Sequence, residues 1–247
     1  MKSAKRVLEI LCFFAQTQAP ASLSQISAAL GFPKSSCLAL LDTLEAEGYA
    51  YQAAGRYYLT RRWLHEAQLV AQHDQITARV RPILEGLQRQ LRETLILARR
   101  SGDLVLYLDA VEADQTVRFA AHAGQTKPLH ASASGRALLS MISTAERRDL
   151  LARLKLETYT DRTLTKPGPL LEQIEEGYKR GWHVNVGEHQ TDTLSIASAA
   201  SLHGTPYALV VGAPMARAIE RVNEIGQTLA DACRDMAHSI ASPQPSS

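Results

Sequence analysis

A cluster of small and hydroxyl side chains stands directly before a helical pattern in HASASGRALLS, residues 130–140. Backbone N–H groups at the start of a helix lack partners inside the helix, so such a cluster could receive a carboxylate. The same residues also fit a structural role, in which Ser132 or Ser134 caps the helix and Gly135 permits close packing. The residues alone favour the structural role, with the anion site as the alternative.

Hydrolytic chemistry is a further alternative for this segment, with Ser134, His130 and an acid as the reacting set. Nucleophilic serines of α/β-hydrolases sit in a G-x-S-x-G elbow, which the sequence lacks, and these two residues are only four positions apart. The sequence also contains no phosphate-cradling glycine loop and no zinc-hydrolase motif. We therefore predict that the protein is not an enzyme.

Metal binding is a third chemistry to consider, because three histidines and a glutamate occur within residues 183–203. Their spacing matches no common metal site. The three cysteines are far apart and stand among apolar neighbours, as reduced core residues do. We predict no metal and no cofactor, and the residues considered as metal ligands are His183, Glu188, His189 and His203.

DNA binding is indicated by GFPKSSCLALLDTLEAEG, residues 31–48, which is typical of the turn and second helix of a helix-turn-helix. Within this segment, Cys37 and three leucines recur at helical spacing and define a buried face. The three acids of the segment lie in its later turns, beyond the part that would enter a major groove. The outward residues predicted to contact DNA are Lys34, Ser35, Ser36, Leu38, Ala39 and Thr43.

Alternating residues on both sides of Gly55, within residues 49–60, predict a β-hairpin after this helix. A Gly-Arg tip suits insertion along a minor groove. Each cation here could equally be an ordinary solvated charge, and Arg61 and Arg62 are expected to cap the hairpin or pair with Glu66. The remaining predicted DNA contacts are Arg56 and Tyr57 in the hairpin and Lys5 and Arg6 near the N-terminus.

Hydrophobic periodicity indicates which elements position these residues. Three helices and the hairpin make a winged helix-turn-helix, and one long helical pattern follows over 61–93, which Pro82 is predicted to end or kink. The later elements predict a mixed sheet with helices packed on it, hence an α+β protein. They are three strand-like runs within 94–124, helices over 132–143, 144–154 and 169–180, strands near 182–188, 193–201 and 206–213, and a helix over 217–239.

The charge balance limits how DNA could be bound. The chain of 247 residues carries 27 Lys and Arg against 25 Asp and Glu, a formal net charge of +2. A uniformly basic surface is therefore excluded, and a DNA site must be local. No run approaches the ~20 apolar residues of a membrane span, and Glu9 interrupts the apolar stretch that could suggest a signal peptide. We predict a cytoplasmic protein with no membrane partner.

Over residues 4–240 the sequence resembles the IclR family of bacterial transcriptional regulators. The resemblance is carried, in order, by LSQISAALGFPKSSCLALLDTLEAEGY, LHASASGRALLS, YTDRTLT, GYKRGWHVNVGEH and GAPMARA. It implies a winged helix-turn-helix domain joined by a linker helix to a GAF-like effector-binding domain. It also implies homodimers, often dimers of dimers, on pseudo-palindromic operator DNA. The implied segments are a DNA-binding domain over 1–60, the linker over 61–74, the GAF-like domain over 75–241 and a disordered tail over 242–247.

The sequence departs from the family at Leu38 and Ala39, since members of the family usually carry a His-Arg pair at these places.

The resemblance further implies where a small effector would bind. Because Gly212 is small and Val210 is apolar, we expect an organic acid larger and less polar than pyruvate, aromatic acids included. The positions that match the effector pocket of the family are Phe119, Ala133, Ser134, Asn185, Thr193, Ser195, Val210 and Gly212.

A sensor module that acts only through protein contacts is the other alternative to a DNA-binding regulator. It would use the helical pattern over 61–93 as its interface. Specific, salt-sensitive binding to the protein's own promoter DNA separates the regulator from both the sensor and the enzyme.

Overall fold

The computed structural model describes residues 2–71 and 73–241, and the tail predicted to be disordered, 242–247, lies outside the described residues. The chain divides into two compact units, Met1–Asp74 and Gln75–Ser247. Within the described part of the chain, no helix is long and apolar enough to cross a membrane.

The described part of the first unit consists of three helices, a hairpin and a fourth helix. Ser22 and Gln25 form a capping box at the start of the second helix, and Gly31, at φ 66°, ends that helix. The hairpin turns at Ala54 and Gly55, whose φ values of 50° and 74° match the twist of the two strands. The elements are α1 (Lys2–Thr17), α2 (Leu23–Leu30), α3 (Lys34–Ala46), β1 (Ala50–Ala53), β2 (Arg56–Leu59) and α4 (Arg62–Ala71).

Tyr57 belongs to the core of the first unit and is only 3% exposed. Successive residues of β2 point to opposite sides, so Tyr57 turns inward while Arg56 is exposed and Tyr58 stacks on Tyr51. Tyr57 and Ala21 also exchange two backbone hydrogen bonds, of 2.8 and 3.3 Å. The expectation that Tyr57 contacts DNA is therefore corrected, because its ring packs in the core.

The second unit is an antiparallel sheet with helices on both faces. Its elements are α5 (Gln75–Leu91), β3 (Thr94–Ser101), β4 (Leu104–Val111), β5 (Thr126–Pro128), α6 (Ala133–Ser140), α7 (Thr144–Arg153), α8 (Pro167–Arg180), β6 (His183–Val186), β7 (Thr193–Leu202), β8 (Thr205–Pro214), α9 (Met215–Ala218), a 3-10 turn (Ile219–Arg221) and α10 (Val222–Ala241). The strands lie in the order β5-β4-β3-β8-β7-β6. This arrangement confirms the predicted α+β class with a GAF-like second domain.

The central strand β3 divides the second unit into two cores. Leu95 and Leu97 point to one face of the sheet, where α5 and α10 cover them. Ile96 and Ala98 point to the other face, where residues of α6, α7 and α8 pack. Helices therefore close both faces of the sheet.

Pro82 does not end the helix in which it stands. Helix α5 runs from Gln75 to Leu91 through this proline, and the described part of the preceding helix α4 ends at Ala71. Loss of one backbone hydrogen bond at a proline costs about 3 kcal/mol, which the burial of several leucine-sized side chains outweighs. The stripe that stays buried on both sides of Pro82 consists of Val80, Leu84, Leu87 and Leu91.

The third strand expected within 94–124 is wrong, because the described residues after β4 form a loop there. Glu112 accepts hydrogen bonds from Arg118 Nε at 2.8 Å and from the Ala121 N–H at 3.1 Å. These bonds draw the two ends of the loop together, which an extended strand would not allow.

Candidate DNA-binding surface and effector cavity

The N-terminal half of α3 is exposed on the side predicted to face DNA. The opposite side packs into the core of the first unit through Cys37, Leu41 and Leu44. Helical periodicity therefore gave the correct orientation of this helix. The outward residues are Lys34, Ser35, Leu38 and Ala39, which are exposed, and Ser36, which is half-buried.

The first turn of α3 has no side-chain cap. Pro33 precedes it, and the first bond of the helix runs from the Cys37 N–H to the Pro33 carbonyl at 3.0 Å. The N–H groups of residues 34–36 thus have no acceptor within the helix and can donate to a phosphate. Thr43 differs, because its hydroxyl already donates to the Ala39 carbonyl at 2.8 Å.

The predicted basic residues of the first unit are held in different ways. The guanidinium of Arg6 lies 5.0 Å from the ring centre of Phe32, a residue of the turn before α3. Arg56 is exposed and donates through Nη1 to the Pro20 carbonyl at 3.2 Å, which uses one of its five N–H groups. Lys5 forms an exposed i,i+4 pair within α1. Arg6 is therefore positioned beside the helix-turn-helix, and Arg56 projects from the hairpin.

Arg62 links the hairpin to α4. Its Nε donates to Glu66 at 2.8 Å, and its guanidinium lies 4.4 Å from the ring centre of Tyr49. The Tyr49 hydroxyl donates to Glu66 at 2.6 Å, and the bonds from Tyr49 and Arg62 hold the pKa of Glu66 below its usual value. The predicted Arg62–Glu66 pair is confirmed.

Helix α4 buries none of its described residues. One side of it is apolar along its length, since four small or aliphatic residues recur at i, i+3, i+6 and i+7. Leu69 lies off this side, about 140° around the helix from Leu64. We call the exposed set the α4 stripe, and it consists of Leu64, Ala67, Val70 and Ala71.

The second unit contains a cavity of about 20 Å³ between the loop after β4 and strands β5, β6 and β7. Such a volume holds about one water molecule. Four of the predicted effector residues line it, namely Phe119, Asn185, Thr193 and Ser195. The other lining residues are Tyr107, Lys127, Ala131, Ser132, His189 and Gln190.

The other four predicted effector residues, Ala133, Ser134, Val210 and Gly212, do not line this cavity. Ala133 and Val210 are buried in the core beneath α6. The ring of Phe119 covers Gly212, where an added Cβ would lie 2.5 Å from Phe119 Cδ1. The expectation that a small residue at 212 enlarges the cavity is therefore wrong, because Phe119 fills that space.

Ser132 caps the N-terminus of α6. Its Oγ accepts a hydrogen bond from the Gly135 N–H at 3.1 Å and donates to the Pro128 carbonyl at 2.7 Å. Ser134 is buried and donates to Ser132 at 3.4 Å. No side chain fits at Gly135, since a Cβ would lie 2.0 Å from the Leu129 carbonyl oxygen. The structural interpretation of the serine cluster is confirmed, because Ser132 caps α6 and Gly135 permits close packing.

Lys127 lines the cavity but was not among the predicted effector residues, and it is the most important of the residues that were missed. It is 8% exposed, and none of the described carboxylates lies within ion-pair distance of its ammonium group. Its Nζ lies 5.6 Å from the ring centre of Phe119, and burial holds the pKa of Lys127 below its usual value. A lysine is seldom buried without a partner. The only sign in the sequence that Lys127 has an unusual environment is its position as the single charged residue of the short strand β5.

Asn185 brings a second unpaired donor to the cavity. Its Oδ1 accepts from the Glu188 N–H at 3.3 Å, while its buried Nδ2 has no hydrogen-bond partner among the described residues. Burial, and then the charges of Lys127 and His130, lower the pKa of His189. At neutral pH the cavity therefore presents a cation and polar groups.

Arg136 supports the loop that carries Glu188 and His189. The buried guanidinium pairs with Glu188 and donates to the carbonyls of Val184 at 2.9 Å and His130 at 3.4 Å. The Glu188 carbonyl also accepts from the Thr163 hydroxyl at 2.6 Å. One side of the cavity thus rests on a buried ion pair.

The residues considered as metal ligands do not form one group. His183 is buried, Glu188 is paired with Arg136, and His203 lies in the turn between β7 and β8. Among residues 2–71 and 73–241, no three His, Cys, Asp or Glu side chains come close enough to share a metal ion.

His183 should make the second unit acid-sensitive. Burial, followed by the charge of Arg136, lowers its pKa from 6.5 to about 3. The unfolded chain takes up a proton near pH 6.5 that the folded chain does not accept until about pH 3. The free energy of unfolding should therefore be fully retained above pH 6.5 and fall by about 1.4 kcal/mol for each unit below it.

Urea denaturation at pH 7.5 and pH 5.5 measures this dependence, with Asn replacing either His183 or His203. The variant at the exposed His203 should keep the wild-type pH dependence, whereas the His183 variant should lose much of it. Equal pH dependence in the two variants would contradict the assignment to His183.

Two family models match the chain. The model of the IclR helix-turn-helix domain matches residues 3–54, and that of the C-terminal domain of the bacterial transcriptional regulator IclR matches residues 68–242. The chain belongs to the IclR family. This IclR-family protein is therefore a DNA-binding transcriptional regulator with an effector-binding domain.

Individual relatives agree with this identification. The acetate operon repressor of Salmonella typhimurium is 29% identical over 243 residues, covering 96% of this chain and 89% of that protein. The solved IclR structure from Thermotoga maritima has a TM-score of 0.83 at 21% identity and covers 98% of this chain and 100% of its own. An IclR homologue from Microbacterium hydrocarbonoxydans, solved in complex with 4-hydroxybenzoate, has a TM-score of 0.75 at 23% identity and covers 96% and 99%.

The solved structures from Thermotoga maritima and Microbacterium hydrocarbonoxydans share the fold of this chain. The curated relatives are named as regulators and repressors of transcription, which confirms the prediction of a regulator and not an enzyme.

Proposed function

We propose that this IclR-family regulator binds pseudo-palindromic operator DNA in the cytoplasm as a homodimer or a dimer of dimers. A small organic acid, bound at the cavity of the second unit, changes its affinity for the operator. The observation that carries the DNA-binding part is the exposed and uncapped N-terminal half of α3.

The exposed residues of α3 favour a particular way of recognising DNA. Lys34 and the free N–H groups beside it suit phosphate oxygens, as does Arg6. Leu38 and Ala39 are apolar and suit the methyl groups of thymine, whereas Ser35 can donate a hydrogen bond. We therefore propose that the helix recognises methyl groups and groove shape more than guanine edges.

Replacing Arg56 with alanine should weaken binding to operator and to unrelated DNA alike. Arg56 is exposed on the hairpin, and each lost phosphate contact lowers the slope of log affinity against log salt by about one unit. Mobility shifts with the protein's own promoter DNA over a range of KCl concentrations measure affinity and slope together.

Arg148→Ala, at an exposed arginine of α7, is the control and should change neither quantity. If Arg56→Ala binds like the wild type, the hairpin does not belong to the interface. If the wild type shows no salt-sensitive shift, the sensor that acts through protein contacts becomes the better proposal.

The α4 stripe supports dimer formation. An apolar side of a helix gains stability when a second helix covers it, and a second copy of the chain supplies an identical stripe. Two recognition helices must stand about one turn of DNA, ~34 Å, apart to read the two half-sites together. An effector that changes this separation changes operator affinity.

For the effector, we propose an organic acid larger and less polar than pyruvate, aromatic acids included. Aromatic walls at Tyr107 and Phe119 support this, as does the relative that was solved with 4-hydroxybenzoate. A cavity of about 20 Å³ admits such an acid only when the Phe119 ring turns away from Gly212. In a calorimetric screen we expect aromatic acids to bind, and binding by two- and three-carbon acids alone would contradict the proposed size.

A further inference from the structure

Lys127 is a buried cation that no described carboxylate neutralises. Burial of an unpaired ammonium group is strongly unfavourable. Glu188, the acid of the adjoining loop, already pairs with Arg136. Tyr107 is uncharged, because burial raises the pKa of its hydroxyl, and His189 is neutral at pH 7. The side chains that surround Lys127 therefore supply no negative charge.

Asn185 is the second group of the cavity that needs an acceptor. It is 4% exposed, and within the described part of the chain its Nδ2 has no hydrogen-bond partner. Asn185 and Ser195 are cross-strand partners in β6 and β7, so their side chains share the face that lines the cavity. A buried donor without a partner costs stability unless a ligand satisfies it.

A carboxylate meets both requirements, because it carries one negative charge and only accepts hydrogen bonds. We propose that Lys127 and Asn185 together hold the carboxylate of the effector, and that the site selects a monocarboxylate. A second carboxylate would have no cation of its own, since Lys127 is the charged residue of the cavity lining at neutral pH. This inference rests on the proposed effector function and names the chemistry that the site recognises.

The position of the anchor also fixes the orientation of the effector. The carboxylate lies toward β5 and β6, so the rest of the molecule extends toward the ring of Phe119. The Phe119 carbonyl is held by the Thr94 hydroxyl at 2.7 Å, so the ring opens the cavity by rotation about its own side-chain bonds.

The first test needs no ligand. Lys127→Met keeps most of the length and the apolar character of the stem, and it removes a charge that no described carboxylate neutralises. Its midpoint of thermal unfolding should be higher than that of the wild type and of Lys179→Met, a control at an exposed lysine of α8. A midpoint below both would mean that Lys127 stabilises the fold by itself, and the inference would be overturned.

The second test measures binding by calorimetry on the full chain. The probes are benzoate, 4-hydroxybenzoate, phenylacetate and hexanoate, each paired with its uncharged amide, together with succinate and phthalate. At least one monocarboxylate should bind about 10-fold to 100-fold more tightly than its amide, as hydrogen bonds to charged groups predict. Lys127→Met should reduce that affinity to the level of the amide and leave amide binding unchanged. Asn185→Asp, which supplies an internal anion, should also abolish carboxylate binding.

The outcomes distinguish this inference from the proposed function. If Lys127→Met binds the acid as tightly as the wild type, the anchor is wrong while the effector function stands. If a dicarboxylate binds most tightly, the selection of one charge is wrong. If no acid of the panel binds although promoter DNA does, the inference and the organic-acid effector both fail, and the DNA-binding function stands.

Discussion

Arg136→Met should lower the free energy of unfolding of the second unit by about 3–5 kcal/mol, the usual cost of removing one member of a buried ion pair. The Glu188 side chain is only 11% exposed, so the substitution leaves a largely buried carboxylate without its cation. The carbonyls of Val184 and His130 lose donors at the same time. We expect the loop at Glu188 to detach and the effector cavity to lose its shape.

Urea denaturation followed by Trp182 fluorescence measures this loss, in a Trp63→Phe background that removes the tryptophan of the first unit. Arg148→Met makes the same substitution at an exposed site and should change stability by less than about 0.5 kcal/mol. Glu188→Gln should restore part of the stability of Arg136→Met, because the unpaired charge is then gone. Equal stability of the two arginine variants would contradict a structural role for the pair.

Val70→Glu should separate the proposed homodimer and lower operator affinity by at least about 100-fold, since linkage of two binding modules raises affinity by 10²–10⁴. Val70 is 70% exposed and lies within the α4 stripe, so a second copy would have to bury the new carboxylate. Each recognition helix would then bind its half-site alone. Sedimentation gives the oligomeric state, and mobility shifts with promoter DNA give the affinity.

Leu69→Glu is the matched control for this substitution. Leu69 is on the same helix and is 45% exposed, but it lies off the α4 stripe. It should leave both the dimer and DNA binding intact. If Val70→Glu sediments like the wild type, the dimer is formed by another surface, and loss of both dimers would mean that the helix itself is disturbed.

Local patterns in the sequence were sufficient for the first unit. The helical spacing of Cys37, Leu41 and Leu44 determines which side of α3 faces water, because side chains three and four positions apart share one face. Ala54 and Gly55 lie at the predicted hairpin turn for a similar local reason. The error at Tyr57 arose because tyrosines occupy successive places in β2, so alternation alone did not decide which one packs inward.

Pro82 and the loop after β4 show where local patterns failed. The proline is a helix breaker by its own chemistry, yet the packing of α5 against the sheet keeps the helix intact around it. The loop contains a run with strand-like residues, but contacts of Glu112 with Arg118 and Ala121 draw it together. In both cases tertiary contacts outweighed a preference that the sequence expresses locally.

The sequence by itself determined the order of the elements in the first unit, the faces of α3, the charge available for DNA and the resemblance to the IclR family. Only the tertiary structure decided which residues line the candidate effector cavity, because Lys127 in β5 and Asn185 in β6 come from opposite edge strands of the sheet. Periodicity carries no information on contacts between distant segments, so it could not reveal that Phe119 covers Gly212, or that Lys127 is buried with no described carboxylate within ion-pair distance. We therefore place the proposed carboxylate anchor at Lys127 in β5 and Asn185 in β6.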